Sequence, residues 1–489
     1  MFKDLKALGK ESLIYGLSTV GARLLNFILL PFYTHYLAPA DYGIVAAVFS
    51  YIAFLNIVYH YGLDQAYMRH YADREKAFPA AMACLGVTTL LLTLLLCAAA
   101  PFWAAAGGIG AGNARLVYYA AAILLLDTAT IIPFADLRMR HRALRFAGVR
   151  TASIVINVAL NVVFLAWLGL GLESVFLANV ISSAAAAALL APEFRAAAAR
   201  ADLPVLRNLL SFALPLLPAG LGSMAVQVLD RPIMLHLSDT ASVGVYQANY
   251  RLGIFMMMVV TMFDQAWRPF FIERSHRPDA APVFARVLTY FTVGGLWLWL
   301  GLSFFIGDLA RLRVAGINLI HPDYWSGLGI VPVVLAAYLL NGVYVNFLAP
   351  VIIAKRTGII LSVTLAGAAV SIGGNFALIP AFGMYGAAWA LLLSYLAMAV
   401  MVHLRGRAFY PVPYEFGRIG AAAGLAAACA LPAFLLPFGG AAGLAVRAAA
   451  FLAFPLLAWH GGLLLPEEKE AALRRFSRLL PAGRKTGAL

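Results

Sequence analysis

The chain predicts an all-α polytopic membrane protein: two pseudo-symmetric six-helix bundles followed by two further helices, about 14 spans with both termini cytoplasmic. Three observations predict it. The first is composition, with 63% hydrophobic and 12% charged residues, where a soluble domain carries about 25% charged. The second is an internal repeat. Pro31, His35 and Gly43 precede Asp64-Gln65-Ala66, and Pro232, His236 and Gly244 precede Asp264-Gln265-Ala266, offset by 201 residues for the first three and 200 for the tripeptide. Asn161 likewise stands eight residues before Gly169 as Asn375 does before Gly383. The third is the placement of charge. Of the 36 lysines and arginines, 29 fall on one side of the spans, against Arg115, Arg311, Arg313 and Arg447 on the other. That bias is the positive-inside rule. Helices satisfy their own backbone in lipid, and no alternating barrel pattern occurs.

The spans follow in order. The first, 12–36, carries Arg23 and Pro31, and the second, 42–63, carries Asn56 and His60. The third, 80–101, holds Cys84 and Cys97, thirteen residues or about 20 Å apart on one helix, too far to bridge. Cys429 is also inside an apolar run, so no disulfide or metal spacing exists. The fourth, 115–134, contains Asp127 and Pro133; 148–168 and 172–192 complete the first half. The second half repeats the plan over 208–233 (with Pro215 and Pro218), 243–268, 286–307, 327–353 (with Pro332 and Pro350), 358–379 and 384–403. Spans 415–436 and 444–464 have no counterpart. The expected divisions are therefore 1–205, 206–408 and 409–489. Six being even, both halves run in the same direction, with a transport site expected between them near mid-membrane.

The start MFKDLKALGKES resembles a signal n-region, but the helix after it is long, contains Arg23 and lacks a small-x-small cleavage site. It is expected to remain. The tail after Pro466 places acids in a first turn and Arg474, Arg475 and Arg478 later, with Leu473, Phe476 and Leu480 on one face. Such a helix suits an anionic leaflet or a solvated surface equally. The net charge of +14 is spent on the loops, which excludes a nucleic-acid reading.

Ionisable residues inside a bilayer are costly and face cavities or partners. Arg23 and Asn26 share a face of span 1, and Gln247 and Arg251 are one turn apart on span 8. Two cations from different halves could thus meet in one cavity. Asn56, Gln227, Arg231, Tyr338 and Asn341, with Tyr250 and Tyr344, supply amide, guanidinium and phenol groups for a polar ligand. Asp64 and Asp264, beside Arg69 and Arg268, read as inner-gate acids, and Asp230 with Arg231 as an outer counterpart. Asp127 is a candidate for ion or proton coupling. Ser153-Asn157-Asn161 and Gly367-Ser371-Asn375 suit helix packing. His35, His60 and His403 are isolated, so no metal is expected, and no phosphate-binding glycine loop with Lys-Ser/Thr occurs. No cofactor is expected.

Several segments are familiar. LLPFYTHYLAPADYGIVAAVF and LDRPIMLHLSDTASVGVYQANYRLG resemble matching parts of the Wzx-type O-antigen and exopolysaccharide flippases. LNVVFLAWLGLGLESVFLANVIS and GNFALIPAFGMYGAAWALLLSYLA are similar to that family's Asn-containing pattern before a Gly turn. The resemblance covers the first twelve spans. It implies two bundles in a V, as in the multidrug antiporters and the lipid II flippase of one superfamily, in a bacterial inner membrane. It implies transport of an undecaprenyl-pyrophosphate-linked oligosaccharide to the outer leaflet, for a polysaccharide polymerase or ligase, by a protein that is not an enzyme. The alternatives are another exporter of this fold or a membrane-embedded polymerase or ligase, which would need a larger loop or a catalytic domain. The last two spans resemble a pair that forms a lipid-tail groove in the lipid II flippase.

Overall fold

The computed structural model describes residues 27–194, 202–314, 316–435, 440–463 and 465–470. The helices are α1 (27–36), α2 (Pro39–His60), α3 (Leu63–Arg69), α4 (Arg74–Ala98), α5 (Ala100–Ala106), α6 (Ala114–Met139), α7 (Ala143–Val162), α8 (Glu173–Leu189), α9 (Leu203–Ala213) and α10 (Leu217–Val228). They continue as α11 (Asp230–Leu237), α12 (Thr240–Tyr250), α13 (Ile254–Arg274), α14 (Ala280–Arg311), α15 (Val331–Ile353), α16 (Thr357–Phe382), α17 (Met384–Gly406), α18 (Phe416–Leu435) and α19 (Gly440–His460). A two-residue hairpin pairs Arg313 with Asn318 and Val314 with Ile317.

Among the described residues eleven helical segments are long and apolar enough to cross a bilayer, and each coincides with an expected span. The other three expected spans differ for local reasons. The first is described only from residue 27. The sixth, α8, is 17 residues, short of the length counted as a span. The eighth is broken: α12 hands over to α13 through the 3-10 turn Arg251–Gly253. A further correction concerns span 2. α2 stops at His60 because Tyr61 (φ 35°) and Gly62 (φ 77°) are left-handed. Asp64 therefore falls in a separate helix, α3, although it stays beside His60.

The chain forms two compact units. The first contains the described residues up to Arg268 and Asp308–Tyr410. In its first half, Leu63, Tyr67, Phe78, Leu85, Ile132 and Leu209 make a core joining α3, α4, α6 and α9. Asp136, 1% exposed, ties that core at one end. It accepts from Tyr67 Oη at 2.7 Å and from Arg74 Nε and Nη2 at 2.7 and 3.0 Å. In the second half α15, α16 and α17 approach closely through small residues. A Cβ on Gly367 would lie 2.5 Å from Met398, and one on Gly386 2.3 Å from the Leu378 carbonyl oxygen. Lipid offers no hydrophobic drive to such contacts, so close packing and hydrogen bonds supply it. The paired stripes do the same in α7 and α8: Ser153 Oγ donates to the Ser182 carbonyl at 3.1 Å, and Asn157 Nδ2 to Ser182 Oγ at 3.2 Å.

The second unit contains Pro269–Gly307 and the described residues from Pro411. Leu300, Phe304, Cys429 and Phe454 form its core. Arg447 Nη1 donates to the Phe304 carbonyl at 2.7 Å, and Arg418 Nη2 to that of Leu463 at 2.6 Å. A helix begins at Pro466 as expected; Leu473, Arg474, Arg475, Phe476, Arg478 and Leu480 lie outside the described residues.

Candidate functional site

Within the first unit α1, α2, α7 and α8 face α11, α12, α13 and α15 across a cavity of about 350 Å³. Arg231, Gln247, Arg251 and Tyr338 line it together. Arg231 enters from α11 and is 4% exposed. Its Nη1 donates to Asp230 Oδ1 at 2.9 Å and to the Gln227 carbonyl at 2.7 Å, and its Nε to Gln247 Oε1 at 2.8 Å. The guanidinium carbon lies 4.0 Å from the centre of the Tyr250 ring. Tyr246 Oη donates to Asp230 Oδ2 at 2.6 Å, and Tyr338 Oη to Tyr250 Oη at 2.7 Å. Arg231 is thus neutralised by its neighbour, and most of its donors are used.

Arg251 is different. The 3-10 turn that breaks span 8 starts at this residue and lets its side chain enter the cavity. Its guanidinium carbon stands 5.6 and 5.7 Å from the Tyr33 and Tyr42 rings. Among the described residues Nη1 is buried without a hydrogen-bond partner. Among the described residues Arg251 forms no ion pair. A cation over tyrosine faces, with Nη1 free, is arranged to meet an anion or the oxygens of a polar ligand.

The remaining candidates are dispersed. Arg23 and Asn26 lie outside the described residues. Gln227 gives its backbone carbonyl to Arg231, while its side chain is exposed and turns to Ser223. Asn341 is half-buried and lines neither this cavity nor the next. Asp264 pairs with Arg268 at 2.7 Å, one helical turn on. Arg69 sits over Phe212 at 4.5 Å, not on Asp64.

Asn56, Asp64 and Asp127 come together in a second cavity of about 290 Å³, built from α2, α3, α6 and α7. His60, Thr130, Arg138 and Arg150 complete its polar lining. Asp127 accepts from Ser183 Oγ at 2.6 Å. His60 Nδ1 is 3.9 Å from Asp64 Oδ1. The residues missed by sequence reasoning are Tyr33, Tyr42, Asn179 and the two arginines of the second cavity. Tyr33 lies in the repeated segment beginning at Pro31, and that repeat was its signal; the arginines read as ordinary loop charges.

A family model described as polysaccharide biosynthesis protein matches residues 34–279. No curated protein matches the chain. Among solved structures, the lipid II flippase MurJ in an inward closed conformation is similar with a TM-score of 0.71 at 13% identity, over 92% of this chain and 100% of that one. An inward-facing multidrug resistance MATE transporter of the MOP superfamily gives 0.61 at 14% identity, over 82% and 96%. A Vibrio cholerae MATE transporter gives 0.56 at 15% identity, over 82% and 97%. These likenesses fix the fold. The expected two-bundle architecture is therefore the one that these solved structures share. With its membrane-crossing helices and the match to half its length, the chain is a multi-pass membrane protein that belongs to the polysaccharide biosynthesis protein family.

Proposed function

We propose that the protein flips undecaprenyl-pyrophosphate-linked oligosaccharide repeat units from the inner to the outer leaflet of the inner membrane, by alternating access, for polysaccharide biosynthesis. The observation that carries this reading is Arg251: a half-buried side chain whose Nη1 is buried and, among the described residues, unbonded, in a membrane-depth cavity shared with Arg231. A pyrophosphate diester carries about two negative charges, and charge-assisted hydrogen bonds to it are strong where water is scarce. Asp230 cancels Arg231, so among the described residues Arg251 is the cavity lining's uncompensated cation. Arg23 is the expected second one, reaching the same depth from span 1. Gln247, Tyr250 and Tyr338 remain as neutral partners for the first sugar. A drug-exporting antiporter would present acids to cationic cargo; this lining favours an anion. Residues 1–205 and 206–408 are read as the two lobes, with 409–489 as an appended pair of helices and tail. Flipping delivers the lipid-linked repeat unit to a polymerase or ligase outside.

Deleting the gene should remove surface polysaccharide and accumulate the lipid-linked repeat unit, with the plasmid-borne gene restoring both. Unchanged polysaccharide and an unchanged lipid pool would overturn the assignment.

A further inference from the structure

We infer that the second cavity is a saccharide-binding subsite, separate from the arginine–tyrosine cavity, that takes the sugar residues of the lipid-linked substrate. The inference rests on the proposed function and adds to it where the sugars go. Charge balance argues first. Asp64 and Asp127 are matched by Arg138 and Arg150, so the lining is neutral overall and suits neither a bare cation nor a bare anion. It combines acceptors with donors, which the hydroxyls of a sugar ring can both satisfy. Two of those acceptors stand ready: among the described residues, Asn56 Oδ1 and Asp64 Oδ1 are buried without a hydrogen-bond partner. Leaving such atoms unmet costs about 1–3 kcal/mol each, which a ligand hydroxyl would recover. Phe134 supplies an apolar face beside them, with Arg150 stacked at 4.9 Å. A volume of about 290 Å³ is at the small end for ligand sites, sized for a sugar ring.

Position argues second. Both cavities are strung along α2, with Phe49 lining the first and Asn56 the second. Seven residues of helix put them about 10 Å apart. They also touch through α8, where Ser182 holds Asn157 of the first cavity and Ser183 holds Asp127 of the second. The second cavity is at the end of the lobe that the charge bias assigns to the cytoplasm, where the glycan arrives. A pyrophosphate on Arg251 would therefore extend its sugars toward Asn56 and Asp64.

The test uses purified full-length protein in nanodiscs and two probes. One is undecaprenyl pyrophosphate; the other is the lipid-linked oligosaccharide extracted from the gene-deleted host. Asn56→Leu and Thr130→Val, each checked for monodispersity, should weaken the glycosylated lipid tenfold or more while leaving undecaprenyl pyrophosphate within twofold. Arg251→Ala should weaken both. Equal loss of both probes in the Asn56→Leu and Thr130→Val variants, or loss of neither, overturns the subsite. So does glycolipid binding that is unchanged while its pH or sodium dependence disappears, which would make the cavity a coupling site. If the wild-type protein binds neither probe, the proposed function itself fails, and that result is separate from the others.

Discussion

Gly43 and Gly244 cross in direct backbone contact. A Cβ on Gly43 would lie 1.8 Å from the Thr240 carbonyl oxygen, and one on Gly244 would lie 1.9 Å from that of Pro39. The two contacts are the same contact seen from each half, because the residues are repeat partners 201 positions apart. Only a hydrogen fits at either place. α2 and α12 thus close one end of the cavity, and Tyr324 Oη reinforces the closure by donating to the Leu37 carbonyl at 2.8 Å. Gly43→Val or Gly244→Val should hold this end apart. With the native cysteines replaced and a cysteine at Phe49, which lines the cavity, an impermeant maleimide added outside should react at least tenfold faster in either variant. Unchanged labelling would mean that closure does not depend on the glycine crossing.

His236 spans the same closed end. Its Nδ1 is 2.8 Å from the Pro232 carbonyl oxygen and its Nε2 2.9 Å from that of Ala106. Both neighbours are acceptors, so the imidazolium donates twice while the neutral ring can donate only once. His236→Ala removes the bond to the Ala106 carbonyl and should loosen this end by about 1 kcal/mol. Labelling of the Phe49 cysteine should therefore be faster in His236→Ala than in wild type, and an unchanged rate would mean that this bond does not hold the end closed.

Arg231 and Arg251 should fail differently. Arg231→Ala leaves Asp230, 2% exposed, as a buried charge without its cation. Breaking such a pair costs about 3–5 kcal/mol, so this variant should lose thermal stability in detergent. Arg251 supports no ion pair among the described residues, so Arg251→Ala should melt within a few degrees of wild type yet lose transport. Arg251→Lys should restore transport in part, since a point charge lacks the guanidinium fork.

Asp136 makes a third stability test. Asp136→Ala deletes the acceptor shared by Tyr67 and Arg74 and should cost about 3 kcal/mol, read as a lowered Tm. Tyr67→Phe removes one neutral donor and should cost about 1–2 kcal/mol. Equal losses would mean that the Arg74 ion pair adds nothing beyond the tyrosine hydrogen bond.

The spans were legible because hydropathy over twenty residues reports a bilayer length directly. The repeat located both glycines of the crossing, though not their contact, which depends on how the halves meet. What the sequence concealed were breaks made by one or two residues. Neither the left-handed Tyr61–Gly62 nor the 3-10 turn at Arg251 alters the apolar pattern around it. The first moves Asp64 into a separate helix while leaving it beside His60, and the second aims Arg251. The partition of the candidates was equally hidden. Asn56, Asp64 and Asp127 share a cavity with Arg138 and Arg150 through packing of α2, α6 and α7, which no local spacing encodes.

The central claim is that Arg251 carries the pyrophosphate of a lipid-linked oligosaccharide across the membrane. Its most direct test is flipping of the fluorescently labelled substrate in sealed proteoliposomes, followed by the fraction that an impermeant quencher can reach. Wild-type protein should equilibrate the label between leaflets, and Arg251→Ala, reconstituted to the same density, should fall at least tenfold toward the rate of empty vesicles. Flipping at the wild-type rate by Arg251→Ala would contradict the claim.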